Sequence, residues 1–360
     1  MYKIFRHLLL LSCFNIAAFT TLQAKENDKL IFALDIVRHG DRTPIRNFPN
    51  SPHDWPQGLG QLTAKGMQQE FLLGTKLRQR YIEEYHLLPS QYDAKTIYVR
   101  STDYDRTLMS AQSLLQGLYP VGTGPHATDK PALPNGFQPI PIHTMPADEK
   151  DVLLVNTDTP KFKQLMEKHV LTRTDWQAKE RDLKGKYAKW SKATGVEISS
   201  LTQVQSLADT LHVNRLYSVA LPKGLGNQDA DEIIEAGKWV FVTKFKPKEM
   251  GQETGMHLLA TIFHFLQKAD HQNEKLKYVL LVGHDSSILA LFSALQIPLD
   301  QPPPYAACVN FSLFERKNGE REIEIRFNDT PVKVSACSKT ACTAAELGSL
   351  FNEKQTIATI

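Results

Sequence analysis

Four cysteines in 360 residues are too few for a scaffold built on disulfides. No two pairs of Cys or His fall at the spacings of a zinc site. An excess of one charge is missing too. Lys and Arg number 42 against 39 Asp and Glu, a formal net charge of +3, which leaves no basic footprint for nucleic acid. Beyond the first two dozen residues no apolar run is long enough to span a bilayer. Internal repeats and low-complexity tracts are absent as well. What remains is an ordinary globular composition, 42% hydrophobic and 22% charged. The length suits one large domain with an insertion, or two domains.

The N-terminus reads differently from the rest. "MYKIFRH" carries Lys3 and Arg6, and "LLLLSCFNIAAFTTLQA" is apolar and ends in small residues. This is the build of a secretory signal peptide, residues 1–24, cleaved after Ala24. A lipoprotein box ending at Cys13 is disfavoured by the apolar "FNIAAF" that follows; a retained membrane anchor is the other alternative. Removing residues 1–24 takes away two positive charges and no negative ones, so the net charge becomes 40 − 39 = +1. The expected mature chain is soluble and exported, periplasmic or secreted, with no membrane contact after cleavage. Export permits disulfides. Cys337 and Cys342, in "ACSKTAC", suit a short local bridge, whereas Cys308 reads as a small buried apolar residue.

Along the chain, "KLIFALDIV" (29–37) is a near-continuous apolar run, as in a strand buried on both faces of a parallel sheet. Residues 62–86 have helical periodicity, with Met67, Phe71, Leu72 and Leu77 expected on the core side. "TIYVR" (96–100) is a second strand, and 102–118 a helix with Thr102 and Asp105 as a capping box. Residues 120–146 are dense in proline, and 160–245 are polar and helical in pattern. Strand and helix alternate again late: helix 252–269, strand 277–285, helix 286–295, and a hairpin over 309–327 turning at Asn318–Gly319. The expected fold is α/β, with a mainly parallel sheet, helices on both faces and a smaller, mostly helical inserted domain. Residues 25–120 and 246–345 form the α/β domain, 121–245 the insertion, and 346–360 a C-terminal tail.

Three strands end in reactive residues: Arg38, His39, Asp41 and Arg42; then Arg100; then His284 and Asp285. Ligands of open α/β sheets bind outside the carboxyl ends of the strands. Arginine forks match phosphate oxygens, and three arginines side by side are tolerable only around an anion. Gly40 lets backbone N–H groups approach that ligand. A metal site from His39, Asp41, His284 and Asp285 has suitable ligand types, but the interleaved arginines would repel the cation. With phosphate held, a neutral His39 can attack phosphorus, and nearby positive charge lowers its pKa. Asp285 can protonate the leaving alkoxide, which suits an enzyme active in mild acid. Taken singly, each residue has a plainer role. Arg42 and Asp41 suit a surface ion pair, Arg100 a helix-start pair with Asp103 or Asp105, and Asp285 a helix cap. His143, His257 and His264 suit structural or rim positions.

These residues resemble the histidine acid phosphatases. "RHGDRTP" (38–44) is that family's RHGxRxP pattern, and "GHD" (283–285) its second motif. "YVRSTDYDRTLMSA" (98–111), "WPQGLGQLTAKGMQ" (55–68) and "PIPIHTMP" (139–146) resemble the prostatic and lysosomal type. The likeness runs over most of 30–345 and is weakest in 160–245. It implies a phosphoglycerate-mutase-like α/β fold with a helical domain over the site. It implies His39 as the nucleophile that becomes phosphohistidine, with Arg38, Arg42, Arg100 and His284 as phosphate ligands and Asp285 as the proton donor. No metal or organic cofactor is used, the partners are small phosphomonoesters, phosphotyrosine among them, and a homodimer is allowed.

Departures from the prostatic type carry information. That type has three disulfides; here only Cys337–Cys342 is expected, and Cys308 lacks its partner. The lysosomal type has a C-terminal anchor, and sequons occur here at Asn310 and Asn328 only. Together these suggest a bacterial exported member. "HDSS" (284–287) differs from the "HDTN" of bacterial phytases. The expected activity is a broad-specificity acid phosphatase, with a phytase or sugar-phosphate phosphatase as the alternative. A mutase is disfavoured by the export signal, and a non-catalytic phosphate binder by the intact nucleophile and proton donor.

Overall fold

The computed structural model describes residues 28–146, 151–271 and 274–351. The expected signal peptide and the last nine residues of the expected tail lie outside them. The chain opens with β1 (Lys29–Arg38) and α1 (Ala64–Arg78), which runs on as a π-helical segment over Gln79–Glu84. Then come β2 (Ile97–Ser101) and α2 (Asp105–Leu118). The proline-dense stretch forms a two-residue ribbon, β3 (His126–Ala127) with β4 (Lys130–Pro131). Helices follow one another next: α3 (Pro160–Leu165), α4 (Thr174–Lys184), α5 (Tyr187–Thr194), α6 (Leu201–Leu216), α7 (Asn227–Thr243) and α8 (Lys248–Thr254). The chain closes with α9 (Met256–Ala269), β5 (Tyr278–Gly283), α10 (Asp285–Ala294), β6 (Cys308–Glu315), β7 (Arg321–Phe327), β8 (Thr330–Pro331) and α11 (Ala344–Gly348). Among the described residues no helix is long and apolar enough to cross a membrane.

The main sheet has the order β2-β5-β1-β6-β7-β8. It is parallel across β2, β5 and β1 and antiparallel from β1 to β8. The parallel half is buried on both faces, which is why its strands are mostly apolar. One face packs Phe32, Leu34 and Ile36 against α9 and α10; the other packs Ala33 and Val37 against Leu77, Leu114 and Leu118 of α1 and α2. The consecutive helices have their own core around Trp190, Leu211 and Ile233.

Two expectations fail for a common reason. On α1, Leu77 is buried, but Met67, Phe71 and Leu72 are exposed at 37%, 42% and 56%. The buried side is Gly66, Glu70 and Gly74. A Cβ on Gly74 would lie 1.9 Å from the Leu114 carbonyl oxygen, and one on Gly117 would lie 2.2 Å from that of Phe71. The helices α1 and α2 thus meet backbone to backbone, and glycine, which apolar counting ignores, marks the contact. Likewise the expected helix 252–269 breaks at Gly255, where a Cβ would lie 2.0 Å from the Ala290 carbonyl oxygen of α10.

Smaller points also differ. The helix over 102–118 begins at Asp105, without the expected Thr102–Asp105 box. The hairpin turns as expected, with Gly319 at φ 81°. Cys337 and Cys342 are bridged, and Cys308 is free and buried. The Asn310 sequon lies inside β6, with its amide donating to Asp35 at 2.9 Å and to the Tyr81 hydroxyl at 2.7 Å. A buried, engaged amide cannot receive a glycan, so only Asn328 is exposed for one. Asp35 also accepts from Tyr278 at 2.9 Å. Burial raises its pKa, against the hydrogen bond from Asn310.

The glycine contact predicts an asymmetric response in urea unfolding. Gly74→Ala should cost about 3 kcal/mol, as overpacking at backbone does. Phe71→Ser, whose backbone is in the contact but whose side chain is on the exposed side, should stay within about 0.5 kcal/mol. An unchanged midpoint for Gly74→Ala would mean that the helices separate freely.

Candidate active site

Parallel register assembles the site. Arg38 lies opposite Gly283 across β1 and β5, and Ser101 opposite Val282 across β2 and β5. The chain therefore leaves all three strands at neighbouring levels. The His39 N–H donates to the Gly283 carbonyl at 3.0 Å, and the Thr102 N–H to the Val282 carbonyl at 3.1 Å. His284 caps α10, its N–H donating to Ser287 Oγ at 3.1 Å, and Asp285 is the first helical residue. The His39 and His284 rings lie 5.5 Å apart, edge to face. Arg38, His39, Arg42, Arg100 and His284 are buried, and Asp285 is half-buried. Six of the seven residues expected from the strand ends, Asp41 included, are in this one region; the Arg100 side chain, at the end of the neighbouring β2, meets Asp151 and Met145.

The arginines do not stand bare around an empty space. Arg38 Nη2 pairs with Asp285 Oδ2 at 2.8 Å. Arg42 forms a two-point fork on Asp209 of α6, at 2.8 and 3.2 Å. Arg100 pairs with Asp151 at 2.8 Å, not with Asp103 or Asp105. Carboxylates thus supply part of the compensation that the sequence reading assigned wholly to a bound anion. Burial works against the Arg42 charge, and Asp209 more than offsets it. Burial also pushes the Asp209 carboxyl up, but Arg42 prevails and holds its pKa below the ordinary value.

Asp41 is not the ion-pair partner expected from its neighbour. Its Oδ2 accepts from the Thr63 hydroxyl at 2.7 Å and from Tyr217 at the end of α6. Arg42 turns away to Asp209 because the backbone sends adjacent side chains to different sides. Gly40 also has another reason than the one expected. Its N–H donates to Ser110 Oγ at 3.1 Å, and that of Asp41 to Gln69 at 2.8 Å, so neither faces a ligand. A Cβ at 40 would lie 2.4 Å from the Gly66 carbonyl oxygen. Glycine is there so that the loop can lie against the first turn of α1.

The tautomer of His39 follows from one contact. Its Nδ1 lies 2.8 Å from the carbonyl oxygen of Gly40. A carbonyl only accepts, so Nδ1 carries the proton and Nε2 keeps its lone pair. Burial first, then Arg38 and Arg42, hold the His39 pKa well below the usual value. Positive charge, the cause expected from the sequence, is therefore second to desolvation. Burial and Arg106 lower His284 to about 3. Both rings are neutral bases in mild acid.

Several residues here escaped the sequence reading. Asp209 and Asp151 have no motif and come from segments distant in sequence. Tyr305 lies with its ring 4.2 Å from the Arg38 guanidinium and 6.0 Å from His39. Arg106 is within a stretch read as helix and as resembling the prostatic and lysosomal type, with no role of its own; burial, then Arg42, lower its pKa to about 10. The available signals were that resemblance and its place in the first turn of the helix that follows the Arg100 strand. His143 is structural, as expected: its ring stacks on Tyr98 at 4.9 Å and its backbone extends the edge of β2. His257 is exposed and His264 half-buried. Among the described residues no group of three or more His, Cys, Asp or Glu side chains is placed to hold a metal ion.

Comparison with known proteins covers most of the chain. The model of the histidine phosphatase superfamily, branch 2, matches residues 29–205 and 202–328. The lysosomal acid phosphatase of Bos taurus is 32% identical over 322 residues, covering 86% of this chain and 74% of that protein. The prostatic acid phosphatase of Bos taurus is 31% identical over 333 residues, covering 89% and 82%. Among solved structures, the phytase of Klebsiella sp. ASR1 superposes with a TM-score of 0.65 at 17% identity, covering 92% of this chain and 98% of that one. The apo phytase of Hafnia alvei gives 0.63 at 15% identity, covering 91% and 97%. At such identities the structural likeness speaks for the fold.

The neutral histidines predict an acid-sensitive stability. A histidine with a lowered folded pKa leaves stability intact above the unfolded value, about 6.5, and loses it as pH falls, because only the unfolded chain takes up the proton. Each contributes a slope of up to about 1.4 kcal/mol per pH unit. Unfolding free energy should therefore fall from about pH 7 to about pH 5, and less steeply in His284→Asn. Parallel profiles for the two proteins would show that His284 is not held neutral.

Proposed function

The chain belongs to the histidine phosphatase superfamily, branch 2, and from that premise we propose that it is an acid phosphatase of broad specificity, hydrolysing phosphate monoesters through a phosphohistidine. The observation that carries this reading is the pinned tautomer of His39, whose Nε2 lone pair is free beside the guanidinium groups of Arg38 and Arg42, which act on the ring. A nucleophile for phosphorus must be neutral while the groups around it are cationic, and burial satisfies both needs.

In the proposed reaction Arg38, Arg42, Arg100 and His284 bind the phosphoryl oxygens. Phosphate is the stronger acceptor for the Arg38 fork, so it would displace the Asp285 carboxyl toward the ester oxygen. His39 Nε2 forms the N–P bond as the P–O ester bond breaks, and the alkoxide leaves with the proton of Asp285. Water then attacks phosphohistidine and gives its proton to Asp285, inorganic phosphate departs, and both groups are restored. The helical segment 121–245 would act as a cap, since Asp209 on α6 reaches Arg42; the α/β domain would be 25–120 with 246–345. The substrates would be small phosphomonoesters, phosphotyrosine among them. The bridged Cys337–Cys342 pair favours an exported protein, periplasmic or secreted. A phytase or sugar-phosphate phosphatase would use the same catalytic groups, and turnover of a panel of esters that includes phytate separates the readings.

Two substitutions test the mechanism. His39→Ala should lower turnover of p-nitrophenyl phosphate in mild acid by more than about a thousandfold; substantial remaining activity would rule out phosphohistidine. Asp285→Asn should lose about a hundredfold on alkyl phosphates and much less on aryl phosphates, because only the poorer leaving group needs the proton. Equal losses on both would count against Asp285 as the acid.

A further inference from the structure

Arg38 is held differently from the other guanidinium groups near the site. Arg42 rests on a two-point fork to Asp209, and Arg100 on the buried Asp151. Arg38 has a single carboxylate, Asp285, at 2.8 Å. That carboxylate must leave it in order to protonate an ester oxygen. A long, buried side chain whose anionic partner departs needs another restraint, one that does not cancel its charge.

The segment Pro303–Ala307, between α10 and β6, supplies that restraint. Arg38 Nη1 donates to the Pro303 carbonyl. The guanidinium lies over the Tyr305 ring, 4.2 Å from its centre. The same ring is 6.0 Å from that of His39, tilted by 40°. Backbone contacts fix the segment to the end of β1. The Arg38 N–H donates to the Ala307 carbonyl at 2.9 Å, and the Ala306 N–H to that of His39 at 3.3 Å. Ala306 has φ 55°, a left-handed conformation that non-glycine residues avoid. Prolines at 302, 303 and 304 stiffen the approach. A backbone held in a disfavoured turn persists only where its surroundings over-determine it, and here it carries the ring to Arg38.

Carbonyl and ring are both neutral. A cation over a ring face is attracted by the quadrupole and keeps its full charge, whereas a second aspartate there would compete with phosphate. With Nη1 tied to Pro303, the Nε and Nη2 edge of the fork is left. Nε is buried without a partner among the described residues, and Nη2 is the nitrogen that Asp285 holds. Once Asp285 moves, that edge can meet two phosphate oxygens.

We propose that Tyr305 is a positioning residue, whose ring, with the Pro303 carbonyl, holds the Arg38 fork in one plane while its free edge exchanges Asp285 for phosphate. The inference rests on the reading of this site as a phosphate site. Tyr305 acts through Arg38 and does not itself bind the phosphoryl group.

Calorimetric binding of inorganic phosphate to the full chain, with turnover of p-nitrophenyl phosphate, tests this role. Tyr305→Leu should weaken phosphate about tenfold and raise KM by a similar factor, as loss of a desolvated cation–ring contact does. Tyr305→Phe keeps the ring face and should stay within about twofold on both measures. A double variant reads the coupling. With Arg38→Gln already present, Tyr305→Leu should change phosphate binding by less than about twofold, because the group it positions is gone. Tyr305→Met takes the place of the leucine variant if that one fails to fold. An undiminished loss from Tyr305→Leu in the Arg38→Gln background would show that Tyr305 acts alone and overturn the inference. So would a phenylalanine variant as weak as the leucine one, which would assign the effect to the hydroxyl. If Arg38→Gln weakens phosphate and Tyr305→Leu does not, only this inference fails. If neither does, the phosphate reading of the site fails with it.

Discussion

Guanidinium groups gathered near the ends of neighbouring parallel strands repel one another, and the arrangement of the site answers that repulsion. Three carboxylates come to meet them from different parts of the chain. Asp285 arrives on the first turn of α10, Asp151 from the segment after the proline-dense stretch, and Asp209 from the middle of α6. The Asp209 pair is also a mechanical link, because it ties the helical segment to the loop after β1. Tyr217, at the end of the same helix, makes a second tie to Asp41. The position of the helices relative to the sheet is thus coupled to the charge balance of the site. A bound phosphate would enter a region already near compensation, and it would displace carboxylates more than fill an empty hole.

Close backbone contact is the second constraint. Gly40 against Gly66, and Gly74 against the carbonyl of Leu114, bring the loop, α1 and α2 to the sheet at distances that a methyl group would prevent. This closeness buries the histidines, and burial is the first cause of their low proton affinity. Packing and chemistry therefore share one origin. A site loosened by a small expansion of α1 would hydrate His39 and leave it partly protonated in acid, with its lone pair blocked. The same tight packing leaves an apolar side of α1 facing outward.

His39 shows how a hydrogen bond fixes what charge alone leaves open. A carbonyl determines the His39 tautomer. The partner is a group with only one possible role, so the proton has only one place. A neutral ring of fixed tautomer suits the nucleophile proposed for this site.

The apolar runs of β1, β2 and β5 and the charged residues at their ends were legible in the sequence, because burial on both faces demands continuous hydrophobicity and only a strand end can release charge to solvent or ligand. From this followed the α/β fold and the meeting of Arg38, His39, Arg42, His284 and Asp285. The local Cys337–Cys342 bridge and the turn at Gly319 were legible for the same reason: each depends on near neighbours. Asp209, Asp151, Arg106 and Tyr305 were not, since a lone acid in a polar helix or an arginine in a helical stretch looks like a solvated side chain. The outward side of α1, the break at Gly255 and the partner of Asp41 depended on which backbones touch across the fold. Local pattern determined the strands and what they carry; the tertiary structure decided which charges meet and which are dry, because Coulomb energy and desolvation depend on distances between residues far apart in the chain.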